Sequence, residues 1–243
     1  MKTLLLSLSL LLPLAAAAQE GHAVYQVTTR IDIELPPEMA RLRDQMPSER
    51  TAQKSLYFDG TATLTRELPR EDEDQTIEDG GNRIVFRSRV SPDVLHVDYD
   101  AWATTEQKDF LGRTFLIDGE PREWAWRLTD ERSEFLGYLC QKAVAERDST
   151  TIEAWFTPEI PVSVGPEHYH GLPGLILVLT EDDGRRTFTA ESVELAPLAD
   201  GALTPPADGR RVTREEYDRI VEEKMAEMEA EMGSGRGIII RKN

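Results

Sequence analysis

The chain has 243 residues, with 28 lysines and arginines against 45 aspartates and glutamates and a formal net charge of −17 at neutral pH. That balance argues against nucleic acid and anionic membrane surfaces as partners, because both are held by patches of Lys and Arg. The only cysteine is Cys140, so no internal disulfide forms and stability has to come from a buried core.

The first residues read as an export signal. Lys2 supplies a short positive region, Leu4 to Leu14 an apolar run, and Ala16-Ala17-Ala18 an A-x-A processing site. The pattern predicts a periplasmic or secreted protein that is cleaved after Ala18 and begins at Gln19. The apolar run is too short to span a bilayer, and no second hydrophobic stretch of spanning length follows. Cys140 lies far from the cleavage point, which excludes a lipoprotein anchor there. Loss of Lys2 with the leader brings the charge to about −18.

From His22 to Leu35 an alternation rich in β-branched residues predicts a long strand, stopped by Pro36-Pro37. Pro37 suits the first turn of a short helix over Glu38–Gln45. Strands are predicted at Lys54–Phe58 and Ala62–Leu68, joined by the turn dipeptide Asp59-Gly60. Residues 69–82 contain Glu71-Asp72-Glu73-Asp74 and Glu78-Asp79 without periodicity, which predicts an acidic loop inserted in the domain. Short alternating strands follow at Ile84–Arg89, Val94–Tyr99, Lys108–Ile117 and Glu123–Leu128, the last with Trp124 and Trp126 on one face. Two hairpins are predicted next, Phe135–Glu146 with Ile152–Phe156 and Leu175–Thr180 with Thr187–Leu195. Strands so short, with turns between them and no alternation with helices, predict an antiparallel sheet that curls.

After Pro197 the composition changes to a Pro-, Ala- and Asp-rich linker. Thr213-Arg214-Glu215-Glu216 then forms a capping box that opens a helix over 213–232. Tyr217, Val221, Met225, Met228 and Met232 fall on one stripe of that helix, and Gly233 ends it. The fold class predicted is mainly β: a curved antiparallel sheet, or an open barrel or bowl of short strands, with a short N-terminal helix and a C-terminal amphipathic helix. Its organisation is a leader at 1–18, an antiparallel β domain at 19–197, and a linker, helix and tail at 198–243.

The chain holds no zinc-protease helix, no G-x-S-x-G elbow, no phosphate loop and no dinucleotide fingerprint. The acidic block fails as an EF-hand because Thr76 takes the third ligand position; loose calcium binding there is the alternative to a solvated loop. His168 and His170 form an H-x-H pair beside Glu167 that suits a metal, yet no third ligand stands at metal spacing. The same pair also reads as two histidines flanking a turn. That turn is Leu172-Pro173-Gly174-Leu175: Pro173 fixes φ for position i+1, and Gly174 suits the positive φ of position i+2 in a type II turn.

Around this turn runs the hexapeptide Gly171-Leu172-Pro173-Gly174-Leu175-Ile176. Upstream stand Trp126, Thr129, Glu131, Gly137-Tyr138, Cys140, Lys142-Ala143, Ala154-Trp155-Phe156-Thr157, Glu159-Ile160-Pro161 and Gly165-Pro166. In order and spacing these residues resemble the GLPGLI family of secreted Bacteroidota-type proteins. The resemblance implies a periplasmic or secreted β-rich protein of unassigned molecular function, with no catalytic residues to carry over. The expected site is therefore a binding surface on the motif loop, made by Trp155, His168, His170, Gly171, Leu172, Pro173 and Gly174. No residue is nominated as catalytic, metal-binding or cofactor-binding. The function expected is a non-catalytic binding or accessory role in the cell envelope, towards a protein, a peptide or an apolar ligand. The alternatives are a hydrolase, metal-assisted through His168 and His170, and a structural envelope component.

Overall fold

The structure is a computed structural model that describes residues 19–31, 48–69, 75–79, 82–86 and 93–233. Its strands are β1 (Gly21–Arg30), β2 (Glu49–Phe58), β3 (Ala62–Glu67), β4 (Gln75–Asp79), β5 (Asn82–Phe86), β6 (Val94–Asp98) and β7 (Ala103–Phe110). They continue with β8 (Arg113–Gly119), β9 (Arg127–Phe135), β10 (Tyr138–Arg147), β11 (Thr150–Thr157), β12 (Leu175–Glu181), β13 (Arg186–Glu194) and β14 (Arg210–Thr213), before helix α1 (Arg214–Gly233). Twelve strands make one sheet in the order β14-β8-β7-β6-β3-β2-β1-β13-β12-β11-β10-β9, and β4 pairs with β5 apart from it. Within the large sheet only β14 against β8 is parallel. The edges β14 and β9 do not meet, so the sheet is open and not a closed barrel.

The chain enters at the middle of the sheet. It meanders from β1 out to β8, crosses over residues 120–126 to the far edge at β9, and returns by hairpins to β13 beside β1. Residues 195–209 then lead back to the first edge, where β14 joins β8. This topology makes the mainly β, antiparallel expectation correct in outline. The leader, the predicted helix at Glu38–Gln45 and the tail after Gly233 lie outside the described residues.

Several element boundaries differ from expectation, each for a local reason. The predicted strand Lys108–Ile117 is two strands folded back at Leu111-Gly112, where both residues take positive φ of 52° and 74°. The β9–β10 hairpin turns in the same way at Leu136-Gly137, with φ of 52° and 81°. Both are Leu-Gly versions of the twisted two-residue turn, a position where Asn or Asp is the usual signal. Part of the expected acidic loop is strand: Gln75–Asp79 pairs with Asn82–Phe86. The tryptophan segment predicted as a strand is irregular over 120–126, and β9 starts only at Arg127.

The core follows from the pleat. Ala23, Tyr25 and Val27 of β1 point to one face, opposite Leu56 and Phe58 of β2 and Phe188 and Ala190 of β13, and all are buried. Ile152, Ala154 and Phe156 of β11 and Leu175, Leu177 and Leu179 of β12 extend this apolar floor. Residues 158–174, between β11 and β12, lie across it and bury Ile160, Val162, Val164, Tyr169 and Leu172.

At the β8–β14 edge the same face is covered by α1. Tyr217 packs on Phe115 and Phe110, with Ile220 and Val221 beside them. The capping box forms as expected: the Glu216 N–H donates to Thr213 Oγ1 at 3.2 Å, and the Thr213 N–H donates to Glu216 Oε2 at 3.3 Å. Further along the predicted stripe Met228 is exposed. No helix among the described residues is long and apolar enough to cross a membrane.

Cys140, on β10, is 1% exposed, and burial pushes its thiol up to about 11. Thiol reagents attack the thiolate, so labelling of native protein is expected to be slow at neutral pH and rapid after denaturation. Fast labelling of native protein contradicts this packing.

Candidate functional site

The motif loop is held down by its own backbone. The Val162 N–H donates to the Ile160 carbonyl at 2.8 Å and the Val164 N–H to the Val162 carbonyl at 2.9 Å, two tight turns centred on Pro161 and Ser163. The Gly171 N–H reaches Ser163 O at 3.1 Å, Ile176 N–H reaches Val164 O at 3.1 Å, and Ser163 Oγ donates to Leu172 O at 2.7 Å. From β1, the buried Tyr25 hydroxyl donates to Ile176 O at 2.7 Å. A loop lying on an apolar floor has to find partners for its amides internally, and this one does.

The hexapeptide turn differs from the type II turn expected. The Gly174 N–H donates to Leu172 O at 2.8 Å, which closes a three-residue γ-turn centred on Pro173. Gly174 has φ of 157°, far from the value near +80° that a type II turn requires. Glycine is needed there because a Cβ would collide with the carbonyl of Thr157. Leu172 and Leu175 are buried at 1% and 0% exposure, as the turn's flanks predict, while Pro173 is exposed. Gly171 does need its positive φ of 91°.

Two fasteners fix the loop to the rest of the molecule. The first is the crossover segment 120–126. Trp124 Nε1 donates to the His168 carbonyl and Trp126 Nε1 to the His170 carbonyl, both at 2.8 Å. The i, i+2 spacing of the indoles matches the i, i+2 spacing of the carbonyls. Trp124 also stacks on Tyr169 at 4.7 Å.

The second fastener is ionic. Glu167, in a left-handed conformation at φ of 54°, receives Lys54 Nζ of β2 at 2.5 Å and a two-pronged contact from Arg186 of β13 at 2.5 and 2.9 Å. Arg186 also reaches Glu181 at 3.5 Å, and the Tyr169 hydroxyl donates to Glu181 at 2.9 Å. Side-chain exposures of 13% for Lys54 and 16% for Glu167 make this a mostly desolvated pair. Burial alone would raise the Glu167 carboxyl; Lys54 and Arg186 outweigh it and hold the group well below the usual carboxylate range.

Turned the other way, the His170 imidazole meets the turn after β6. The His170 ring is 5.1 Å from Tyr99 and 5.7 Å from Trp102, edge-on to the latter. Burial, helped by Arg122, lowers the His168 pKa to about 4, and burial also lowers that of His170, so both rings are neutral at pH 7. Thr63 and Thr65 of β3 share this face with Tyr99. His168 Nδ1, His170 Nε2 and Thr65 Oγ1 are buried without a hydrogen-bond partner among the described residues, while the buried Tyr99 and Thr63 hydroxyls lie near enough to interact with each other. Around them Glu106 is paired with Lys108 at 2.8 Å and with Arg214.

The expected site residues therefore separate. His170 meets the turn after β6, His168 makes no ring contact there among the described residues, and Gly171, Leu172, Pro173 and Gly174 serve the loop's own geometry. Trp155 does not join them. It alternates with Ala154 and Phe156, so it faces the opposite side of β11, beside Phe135 and Lys142. The seam's other wall, with Thr63, Thr65 and Tyr99, was not anticipated from the sequence; only the i, i+2 spacing of Thr63 and Thr65 hinted at a shared face. Among the described residues no group of three His, Cys, Asp or Glu side chains converges to hold a metal.

A family model described as "Protein of unknown function (Porph_ging)", from a Bacteroidota-associated family, matches residues 145–178. The match is local. It spans the end of β10, β11, the motif loop and the start of β12, and so overlaps the later part of the resemblance noted above, from Ala154 to Ile176. Trp126 to Ala143 lie outside it, and the matched family does not bear the GLPGLI name. No curated protein matches the chain in sequence. Among solved structures, PNGF-II is similar in two space groups, C2 and P21, at TM-score 0.53 and 17% identity in each case. The alignments cover 84% and 83% of this chain and 33% of PNGF-II, so the chain spans about a third of that protein's length. At this identity the likeness is one of fold.

Replacing Gly174 with Ala forces a methyl group into the Thr157 backbone and is expected to destabilise the protein by about 1–3 kcal/mol, read as a lowered midpoint in urea. An unchanged midpoint contradicts the close approach.

Proposed function

We propose that this chain is an exported, non-catalytic binding or accessory protein of the cell envelope, and that its recognition surface is the seam between the motif loop and the β3–β6 ladder. The observation that carries this reading is the state of the carboxylates around the two histidines. Glu167 is occupied by Lys54 and Arg186, Glu181 by Tyr169 and Arg186, and Glu106 by Lys108 and Arg214. Glu123, the further carboxylate that acts on His170, is exposed, and no hydrogen bond among the described residues joins it or the other three to either ring, so neither histidine has the carboxylate orientation that a general base ordinarily has. The nearest hydroxyl with a ring partner, Tyr99, is pushed up to about 12 by burial and is a poor proton donor. Rigid backbone around unpaired neutral polar groups suits holding a ligand rather than transforming one. Export rests on the Lys2–Ala18 pattern alone.

Purified mature protein is expected to show no turnover of chromogenic ester, phosphate, peptide or glycoside substrates. Turnover that disappears in the double variant His168→Ala/His170→Ala replaces the binding reading with a hydrolase.

A further inference from the structure

The sheet's other face carries a cavity, away from the motif loop. Thr63 and Thr65 of β3 pair with Phe58 and Leu56 of the core floor, so they lie on its side of the sheet. Leu64 and its partner His96 of β6 alternate with them and fall on the opposite side. There the returning segment 195–209 crosses the sheet, and the Leu203 backbone lies near enough to the buried His96 ring to interact. The segment is also tied near its start, where the Leu198 N–H donates to Glu20 Oε2 at 3.2 Å. It folds into two successive turns, with Ala202 N–H donating to Ala199 O and Thr204 N–H to Gly201 O, both at 3.0 Å. Between this segment, the approach to β1 and the β2–β3 turn lies a cavity of about 340 Å³.

Its walls are of two kinds. Leu198, Ala199, Ala202 and Leu203 are aliphatic, whereas Glu20 and Asp59 are carboxylates. Asp59 Oδ1 accepts from the Thr61 N–H at 2.9 Å, the Thr61 hydroxyl at 2.8 Å and the Ala62 N–H at 2.9 Å. Partial burial would raise this carboxyl, but the three donors outweigh it and hold the group below the usual carboxylate range, ionised at pH 7. Its Oδ2 accepts no hydrogen bond among the described residues. The ion pairs among the described residues supply cations to Glu106, Glu167 and Glu181 but none to Glu20 or Asp59. His96 does not compensate them either. Burial lowers its pKa against the pull of Asp98 and Asp59, so the ring is neutral at pH 7.

Two carboxylates in a cavity without a cation of their own attract one. A metal ion is a poor complement here. Among the described residues no three His, Cys, Asp or Glu side chains converge to hold one, and a space of about 340 Å³ lined largely by aliphatic carbon is far larger than an ion. The ligand that fills it joins a positive head to an apolar stem. Ammonium and guanidinium heads have hydrogens enough for both carboxylates. We infer that this cavity binds an organic cation, an ammonium or guanidinium group on an aliphatic stem, with Glu20 and Asp59 taking the head and Leu198, Ala202 and Leu203 the stem. The chain's net charge of −17 draws such a ligand in. The site is separate from the seam and adds a second ligand to the one proposed there.

The test is a titration of the full chain from Gln19 onward, followed through the backbone amide resonances of residues 59–62 and 198–204. The probes are n-butylammonium, Nα-acetyl-lysine amide, Nα-acetyl-arginine amide and a Gly-Lys-Gly peptide, with n-butanol and calcium chloride beside them. The expected result is saturable shifts in both segments with at least one organic cation, weakening as salt is added. Glu20→Gln and Asp59→Asn keep the acceptors that the Leu198 and Thr61 amides use and remove the charge, so each should weaken binding about ten-fold. Ala202→Leu narrows the cavity and leaves both carboxylates in place; it should abolish binding, and it decides the matter with Glu20→Gln if Asp59→Asn fails to fold. Shifts from the free amines assign a diffusible ligand, shifts from the peptide alone assign a lysine carried in a chain, and either supports the site. The inference is overturned by silence towards every organic cation, by equal shifts from n-butanol, by a response to calcium alone, or by amine binding that survives the substitutions. None of these results bears on the seam across the sheet or on the turnover assay, so the two readings fail separately.

Discussion

The contact on which the rest of the structure depends is the one between Glu167 and the two cations that reach it from different strands. Residues 158–174 have to cover an apolar floor shared by β1, β11, β12 and β13, and a loop of prolines and glycines has little regular ladder to hold it there. Lys54 and Arg186 meet Glu167 at 2.5 Å from β2 and β13, on either side of β1. A desolvated carboxylate with two partners is costly to break, because removing one member leaves charge buried without compensation. The ion cluster thus fixes the loop's position laterally, and the two indoles of Trp124 and Trp126 fix its height above the sheet.

From that anchorage the orientation of the histidines follows. Glu167 and Tyr169 turn towards the cations and Glu181, and His170 faces the turn that carries Tyr99 and Trp102. Glu167 itself holds a left-handed backbone conformation at φ of 54° while its carboxylate meets the cations. Backbone strain of this kind persists only where surrounding contacts over-determine it, and the ion cluster provides them. A loop fastened from one side presents a fixed, unpaired polar edge on the other. Its rigidity lowers the ordering cost of recognition, which is the physical basis for assigning it a binding role.

Much of the framework was legible in the chain. Alternating β-branched runs marked most strands, Asp59-Gly60 and Arg147-Asp148-Ser149-Thr150 marked their hairpins, and Thr213 with Glu216 marked the start of the helix. What could not be read falls into two kinds. Leu111-Gly112 and Leu136-Gly137 are turns in which leucine takes a left-handed conformation, so the residue type concealed the reversal inside an apolar pattern. The site was hidden by distance along the chain: Lys54 meets Glu167 across 113 positions and Tyr25 meets Ile176 across 151. The sequence showed that Trp124 and Trp126 share a face but not that they read alternate carbonyls of the motif loop. Trp155 misled because its resemblance to the motif neighbourhood said nothing about which side of β11 it occupies.

The central claim is that the motif loop is part of the rigid core and not a mobile lid. Native-state hydrogen exchange at the amides of Val162, Val164, Gly171 and Ile176, compared with Tyr25 and Leu179 in the sheet, tests it most directly. If the ion cluster and the indole pair hold the loop as described, these amides open only with the global unfolding of the sheet, and Glu167→Gln accelerates all four together. Exchange of the loop amides orders of magnitude faster than the sheet in the wild-type protein, unaffected by Glu167→Gln, would contradict the account.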